Sequence, residues 1–258
     1  MAYEVMNYDQ GHWLLAKMGK KVLRPGGRIL TEDLIENLNI SNTDDVVEFA
    51  PGIGHTAKLT LKRNPNTYTA VEVNRTAAKN LKRKFKKKDI RIVNSSAAKS
   101  GLTADSADKV YGEAMLTMQS DKRKSEIVKE AYRLLKKGGL YGIHELGLHP
   151  NDLGEESKRS IQLGLIKAIK VNARPMTTNE WIALLEKEGF EVVEVMSKPM
   201  LLLDPKRILE DEGLFRTIKI AFNMMTHPKE RKRIEEMQAI FHHHREKLRG
   251  VAIIARKK

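Results

Sequence analysis

The sequence predicts an α/β fold, a mostly parallel sheet with helices on both faces. Three observations carry this. Short apolar runs that end in turn residues alternate with stretches whose apolar residues recur at helical spacing. The run Val46-Val47-x-Phe49 passes through a two-glycine turn, Pro51-Gly52-Ile53-Gly54, into the helical pattern Ala57, Leu59, Leu61, a strand–loop–helix unit. And 258 residues, 41% hydrophobic, are ample for a packed core.

Residues 1–43 read as a helical extension. Trp13, Leu14, Leu15, Met18 and Val22 form one apolar stripe, ended by Arg24-Pro25-Gly26-Gly27. A second helix around Leu34, Ile35 and Leu38 takes Thr31 or Glu32 as its cap and ends near Asn39. Such a segment is more often a plain packing cap; packed over the mouth of a site, its polar head, Asn7 to His12, would touch donor or substrate.

The glycines at 52 and 54 let backbone pass close to a ligand where a Cβ would clash. The first amides of the following helix turn their unpaired N–H groups toward the same space. Gly52-x-Gly54-x-x-Ala57 also satisfies a dinucleotide pattern, with Glu72 placed 20 residues beyond Gly52 as a ribose-binding carboxylate. Glu48, at the end of the strand, argues for a different ligand. A carboxylate there repels a pyrophosphate and attracts a cationic sulfonium.

The second strand, Thr67–Val73, carries Glu72 at its carboxyl end. A helix over Thr76–Lys88 carries Lys79, Lys82, Arg83, Lys84, Lys86, Lys87 and Lys88, the pattern of a solvated face. The third strand, Ile90–Asn94, leads to Ser95-Ser96-Ala97, and the fourth is Ala107–Ala114. A helix over Ser125–Lys136 stops at Gly138-Gly139 before the fifth strand, Leu140–Glu145. An amphipathic helix with Ile161, Leu165, Ile166 and Ile169 then interrupts the alternation. Thr177-x-x-Glu180 is a capping box for the helix Trp181–Gly189. The sixth strand is Phe190–Met196; helices near 205–225 and 228–248 precede a last strand, Val251–Ala255.

Val46-Val47-Glu48-x-x-x-Gly52-x-Gly54 resembles motif I of the class I S-adenosylmethionine-dependent methyltransferases, small-molecule type. Tyr111 to Ala114 falls where motif IV lies, and Arg133 to Ile143 is similar to the Leu-Lys-x-Gly-Gly turn that precedes the family's fifth strand. The resemblance covers roughly residues 45–146. It implies a Rossmann-like seven-stranded sheet whose antiparallel last strand inserts between the fifth and sixth. It also implies a donor site built from Glu48, Ala50, Gly52, Gly54, Glu72, Val73, Ser96, Ala97 and Glu113. There Glu72 would hold the ribose hydroxyls and the Ala97 N–H the base. Ser96 stands where many relatives carry an acid, a departure at the adenine contact. One domain is expected over 1–258: the extension 1–43, a donor-binding core 44–146, and helical insertions 147–176 and 199–248 covering the substrate end.

Methyl transfer is an in-line displacement in which alignment supplies much of the rate; a base is needed only where the acceptor must lose a proton. The candidates near the ends of strands four and five are His144, Glu113 and Tyr111. Strand alternation sends His144 and Glu145 to opposite faces. His242-His243-His244 point about 100° apart on a helix and cannot converge on a metal, so none is expected. Met176, Met196, Met200, Met224, Met225 and Met237 suit either core filling or an adaptable pocket.

The net charge of +14 keeps an RNA methyltransferase open as an alternative. Against it stand 5% aromatics, few for stacking on single strands, and Tyr111-Gly112-Glu113-Ala114, unlike the Asn/Asp-Pro-Pro-aromatic motif of base methylation. Absence of cysteine excludes thiolate chemistry and disulfides. A nicotinamide-dependent or non-catalytic nucleotide-binding protein is the remaining class. The expected partner is a small-molecule acceptor, with no membrane partner and a monomer or homodimer. No apolar run approaches ~18 residues, and Met1-Ala2-Tyr3-Glu4 lacks a secretory pattern, so a cytoplasmic location is expected.

Overall fold

A computed structural model describes residues 7–86 and 88–258. The first six residues of the extension and Lys87 of the basic helix lie outside them. The apolar runs pair into one sheet: β1 (Asp45–Phe49), β2 (Thr67–Val71), β3 (Arg91–Val93), β4 (Ala107–Glu113), β5 (Leu135–Leu148), β6 (Met176–Thr177), β7 (Phe190–Pro199) and β8 (Leu248–Lys257). The order is β3-β2-β1-β4-β5-β8-β7, with β6 beside the end of β5. β1 to β5 run parallel, and β8 is antiparallel to both β5 and β7. This is the Rossmann-like sheet expected from the sequence, with the two-residue β6 added.

The helices are α1 (Gly11–Lys17), α2 (Gly27–Asn37), α3 (His55–Leu61), α4 (Arg75–Lys84), α5 (Asp121–Leu134), α6 (Glu155–Ile169), α7 (Thr178–Lys187), α8 (Pro205–Glu212), α9 (Leu214–Thr226) and α10 (Pro228–His243). Strand alternation divides the core. Val47, Phe49, Val110 and Ile143 face α5 and α7, whereas Val46, Tyr68, Ala70 and Tyr111 face α2, α3 and α4. A third cluster joins α1, α6 and α10 to Leu146, Leu148 and Leu248, placing helices beside the carboxyl end of β5.

Several boundaries differ from expectation, and four of them have a visible local reason. α2 begins at Gly27, because Gly26 in the left-handed region caps it and Asp211 accepts from the Arg28 N–H at 2.8 Å. Thr31, expected as the cap, is therefore interior and buried. α5 begins at Asp121, capped by the Ser120 hydroxyl. β5 starts directly after α5, its register shifting against β4 around Gly138. Gly213, with φ 76°, splits the expected 205–225 helix into α8 and α9.

Candidate functional site

In an open parallel sheet, ligands bind beyond the carboxyl ends of the strands. A recess of about 390 Å³ at the amino ends of β1 and β2, lined by Asp45, Asn66 and Thr67, is therefore at the wrong end.

At the right end, the loop after β1 runs through three positive-φ residues, Ala50 (51°), Gly52 (57°) and Gly54 (67°). The two glycines serve different purposes. A Cβ on Gly54 would sit 2.6 Å from Leu81 Cδ2 and 2.9 Å from Phe85 Cε2, so this glycine lets α4 pack against the loop. A Cβ on Gly52 would meet nothing nearer than the Ala50 carbonyl oxygen at 4.0 Å. That is a space a ligand can fill. Lys84 of α4 clamps the loop by donating to the carbonyls of Ile53 and Gly54. Burial, then repulsion from Lys58 and Lys21, lowers Lys84 to about 8.

Glu72 is buried beside this loop, accepting from the Gly52 N–H at 2.9 Å and the Asn74 N–H at 2.8 Å. Val73, next to it, is a half-exposed apolar side chain. The Ser96 hydroxyl accepts from Arg123 at 2.7 Å and from the Ala98 N–H at 3.2 Å; Ala97 is buried. Gly52, Glu72, Val73, Ser96 and Ala97 thus follow the carboxyl ends of β1, β2 and β3, with open space above Gly52.

Glu48 lies elsewhere. Its side chain shares the α2–α4 face with Val46, and its carboxylate accepts from the hydroxyls of Tyr68 and Tyr111, the latter at 2.7 Å. Burial pushes it up to about 7, against the pull of the two tyrosines. It is a buried acid whose carboxylate the two tyrosines hold.

The three candidate bases are also drawn inward. Tyr111 bonds Glu48 and the Thr60 hydroxyl, at 2.6 Å. Glu113 accepts from Thr31 at 2.7 Å and from Thr56, and its Oε2 lies 2.7 Å from Arg24 Nε, a charge contact without an aligned hydrogen bond. Burial alone would raise Glu113; Arg24 and His144 outweigh it and hold the carboxyl at about 2. His144 is fully buried, with Nδ1 2.8 Å from Glu113 and Nε2 at the Pro25 carbonyl. With both ring nitrogens engaged, His144 ties β5, β4 and the chain before α2 together. It has no free nitrogen to take a proton from an acceptor. Arg24, Thr31 and Thr56 were missed as members of this cluster; their spacing gives no signal, because the segment before α2, α2 itself and α3 deliver them.

Glu145 points to the opposite face, as alternation requires. It accepts from the N–H groups of Met115, Leu116 and Thr117 and from the Thr117 hydroxyl, at 2.7 to 2.9 Å. It therefore shapes the loop after β4. Beside that loop lies an apolar pocket of about 100 Å³, lined among others by His12, Ala114, Thr117, Met118, Met200 and Met237. The described residues that line it include no charged side chain. Of the six methionines noted in the sequence, Met200 and Met237 reach it. His12 has no hydrogen-bond partner among the described residues, and burial lowers it to about 4, so it is neutral at physiological pH. The triple histidine ends α10 instead.

A methyltransferase domain family matches residues 47–143, from β1 into β5. An uncharacterized protein of Haemophilus influenzae is 34% identical over 253 residues, covering 96% of this chain and 98% of that one. An uncharacterized methyltransferase, YdaC, of Bacillus subtilis is 24% identical over 178 residues, 69% of this chain and 88% of that one. Among solved structures, Haemonchus contortus phosphoethanolamine N-methyltransferase 2, in complex with phosphomonomethylethanolamine and S-adenosylhomocysteine, aligns with a TM-score of 0.70 at 17% identity. The alignment covers 96% of this chain and 57% of that one, and at this identity it speaks to the fold.

Proposed function

This chain belongs to the class I S-adenosylmethionine-dependent methyltransferases, and from that premise we propose that it methylates an O, N or S atom of a small, largely apolar acceptor. The carrying observation is the uncharged pocket beside Ala114 and Thr117, at the carboxyl end of β4. A phosphorylated acceptor, such as the one bound by the Haemonchus enzyme, or an RNA strand would need cations there to replace its hydration.

S-adenosylmethionine supplies a methyl group activated on a sulfonium. Gly52 leaves room for the donor's approach, and Glu72 is the proposed partner of its ribose hydroxyls, supported by its anchoring at the loop. Val73, Ser96 and Ala97 are the proposed base contacts. Glu145 fixes the loop that borders the acceptor, so the chain aligns the two reactants and excludes water rather than activating either covalently. Within the pocket, neutral His12 accepts a hydrogen bond from the acceptor's O–H or N–H and holds the attacking atom's lone pair toward the donor.

Calorimetric titration with S-adenosylmethionine, S-adenosylhomocysteine and NAD tests the donor. Micromolar binding of the first two without the third is expected. Transfer of labelled methyl to apolar phenols, amines or thiols tests the acceptor; transfer to RNA or to phosphorylated amines alone would overturn the proposal.

A further inference from the structure

Among the described residues, α9 is the helix of the cover that turns its apolar side outward. None of its residues is buried. Leu214, Phe215, Ile218, Phe222 and Met225 are all largely exposed, Phe215 at 88% and Met225 at 76%. At 100° per residue these five positions fall within an arc of about 100°, a continuous stripe; Leu209 of α8 is exposed as well. The other side of α9 holds it to the body: Asn223 donates to the Met18 carbonyl at 2.9 Å, Ile220 and Asn223 pack beside Gly19, and Met224 joins the third core cluster. The stripe is thus presented by an anchored helix.

Cations border it. Lys219 follows Ile218 on the helix surface and, with Lys58 of α3, acts electrostatically on Lys21, which Glu212 partly offsets; Arg216 lies on the body side and pairs with Glu212 at 3.6 Å. An exposed apolar stripe flanked by lysines on a surface helix is the chemistry of interfacial binding: the apolar residues enter the acyl boundary and the cations meet anionic headgroups.

We propose that α9 and the adjoining exposed lysines, Lys21, Lys58 and Lys219, dock this protein on an anionic lipid surface. The sequence argued against a membrane partner from the lack of a spanning segment; among the described residues no helix can cross a bilayer, and interfacial docking does not need one. Pairing of two copies through this face is disfavoured by charge, because a two-fold interface sets the patch against itself and opposes like cations. Nucleic acid would neutralise the cations but leave Ile218 and Met225 in water.

Sedimentation with vesicles tests this, using pure phosphatidylcholine and phosphatidylcholine mixed with phosphatidylglycerol. The protein should bind the mixed vesicles, release them as salt rises, and bind pure phosphatidylcholine at least about tenfold more weakly. Lys219→Gln should weaken binding about fivefold, and Phe215→Ser with Phe222→Ser should abolish it. Both variants should keep the wild-type circular dichroism and melting temperature, since the side chains are exposed. No binding to mixed vesicles, binding indifferent to the stripe, or a dimer in sedimentation equilibrium that Phe215→Ser with Phe222→Ser dissociates would each overturn the proposal.

Discussion

The Gly52 backbone N–H donates to Glu72 Oε2 across 2.9 Å, while Asn74 holds the other carboxylate oxygen. The loop after β1 and the end of β2 are therefore one unit. Glu72→Ala should lower affinity for S-adenosylhomocysteine at least tenfold by titration and cost about 2 kcal/mol of stability from the released amides. Unchanged affinity would remove Glu72 from the donor site.

The two loop glycines should fail differently. Gly54→Ala drives a Cβ into Leu81 and Phe85 and should destabilise by about 2–4 kcal/mol in denaturant melts. Gly52→Asp meets only open space; it should cost about 1 kcal/mol for its left-handed backbone yet abolish donor binding, because side chain and charge enter the ligand's volume.

Glu48 gives a pH signature. Its folded pKa is raised to about 7 by burial, so its contribution is fully present below the unfolded value near 4.5 and is lost as pH rises through 7. Glu48→Gln keeps an acceptor for Tyr68 and Tyr111 and removes that loss. It should flatten the stability profile between about pH 4.5 and 7 and stabilise the protein by about 1–3 kcal/mol at alkaline pH. Donor affinity should stay within about threefold; a tenfold drop would restore the attraction to the sulfonium inferred from the sequence.

The sheet was legible because strand periodicity, the glycine turn and the Lys-Lys-Gly-Gly stop are local signals, and so was the face alternation that separates His144 from Glu145. The partners of each buried polar group were not. Glu48 reads as a donor ligand in the linear motif, but its direction depends on tyrosines 20 and 63 residues away. His144 reads as a base until Pro25, 119 residues distant, takes its second nitrogen. Such contacts are set by packing, which no spacing encodes.

Glu145 illustrates an acid whose work is structural. Burial raises it, against four hydrogen bonds from the loop after β4. Glu145→Ala strands three buried N–H groups and should cost about 3–5 kcal/mol in denaturant melts. Where the variant still folds, activity should fall more than donor affinity, because the loop borders the acceptor pocket. Equal loss of both would mean the loop serves the donor.

His12 carries the acceptor side of the proposal. Its folded value of about 4, set by burial, lies below the unfolded 6.5. The folded state therefore resists the charge, and stability should fall as pH drops from about 6.5 to 4. Activity, by contrast, should show no acid limb above about pH 5, since the ring is already neutral. His12→Phe keeps an aromatic ring and removes the acceptor atom. It should lower kcat/KM for the acceptor about tenfold or more, leave S-adenosylhomocysteine affinity unchanged, and remove the stability loss between about pH 6.5 and 4. Full activity in that variant would mean that the attacking atom needs no help from the pocket wall, and that alignment by its apolar lining suffices.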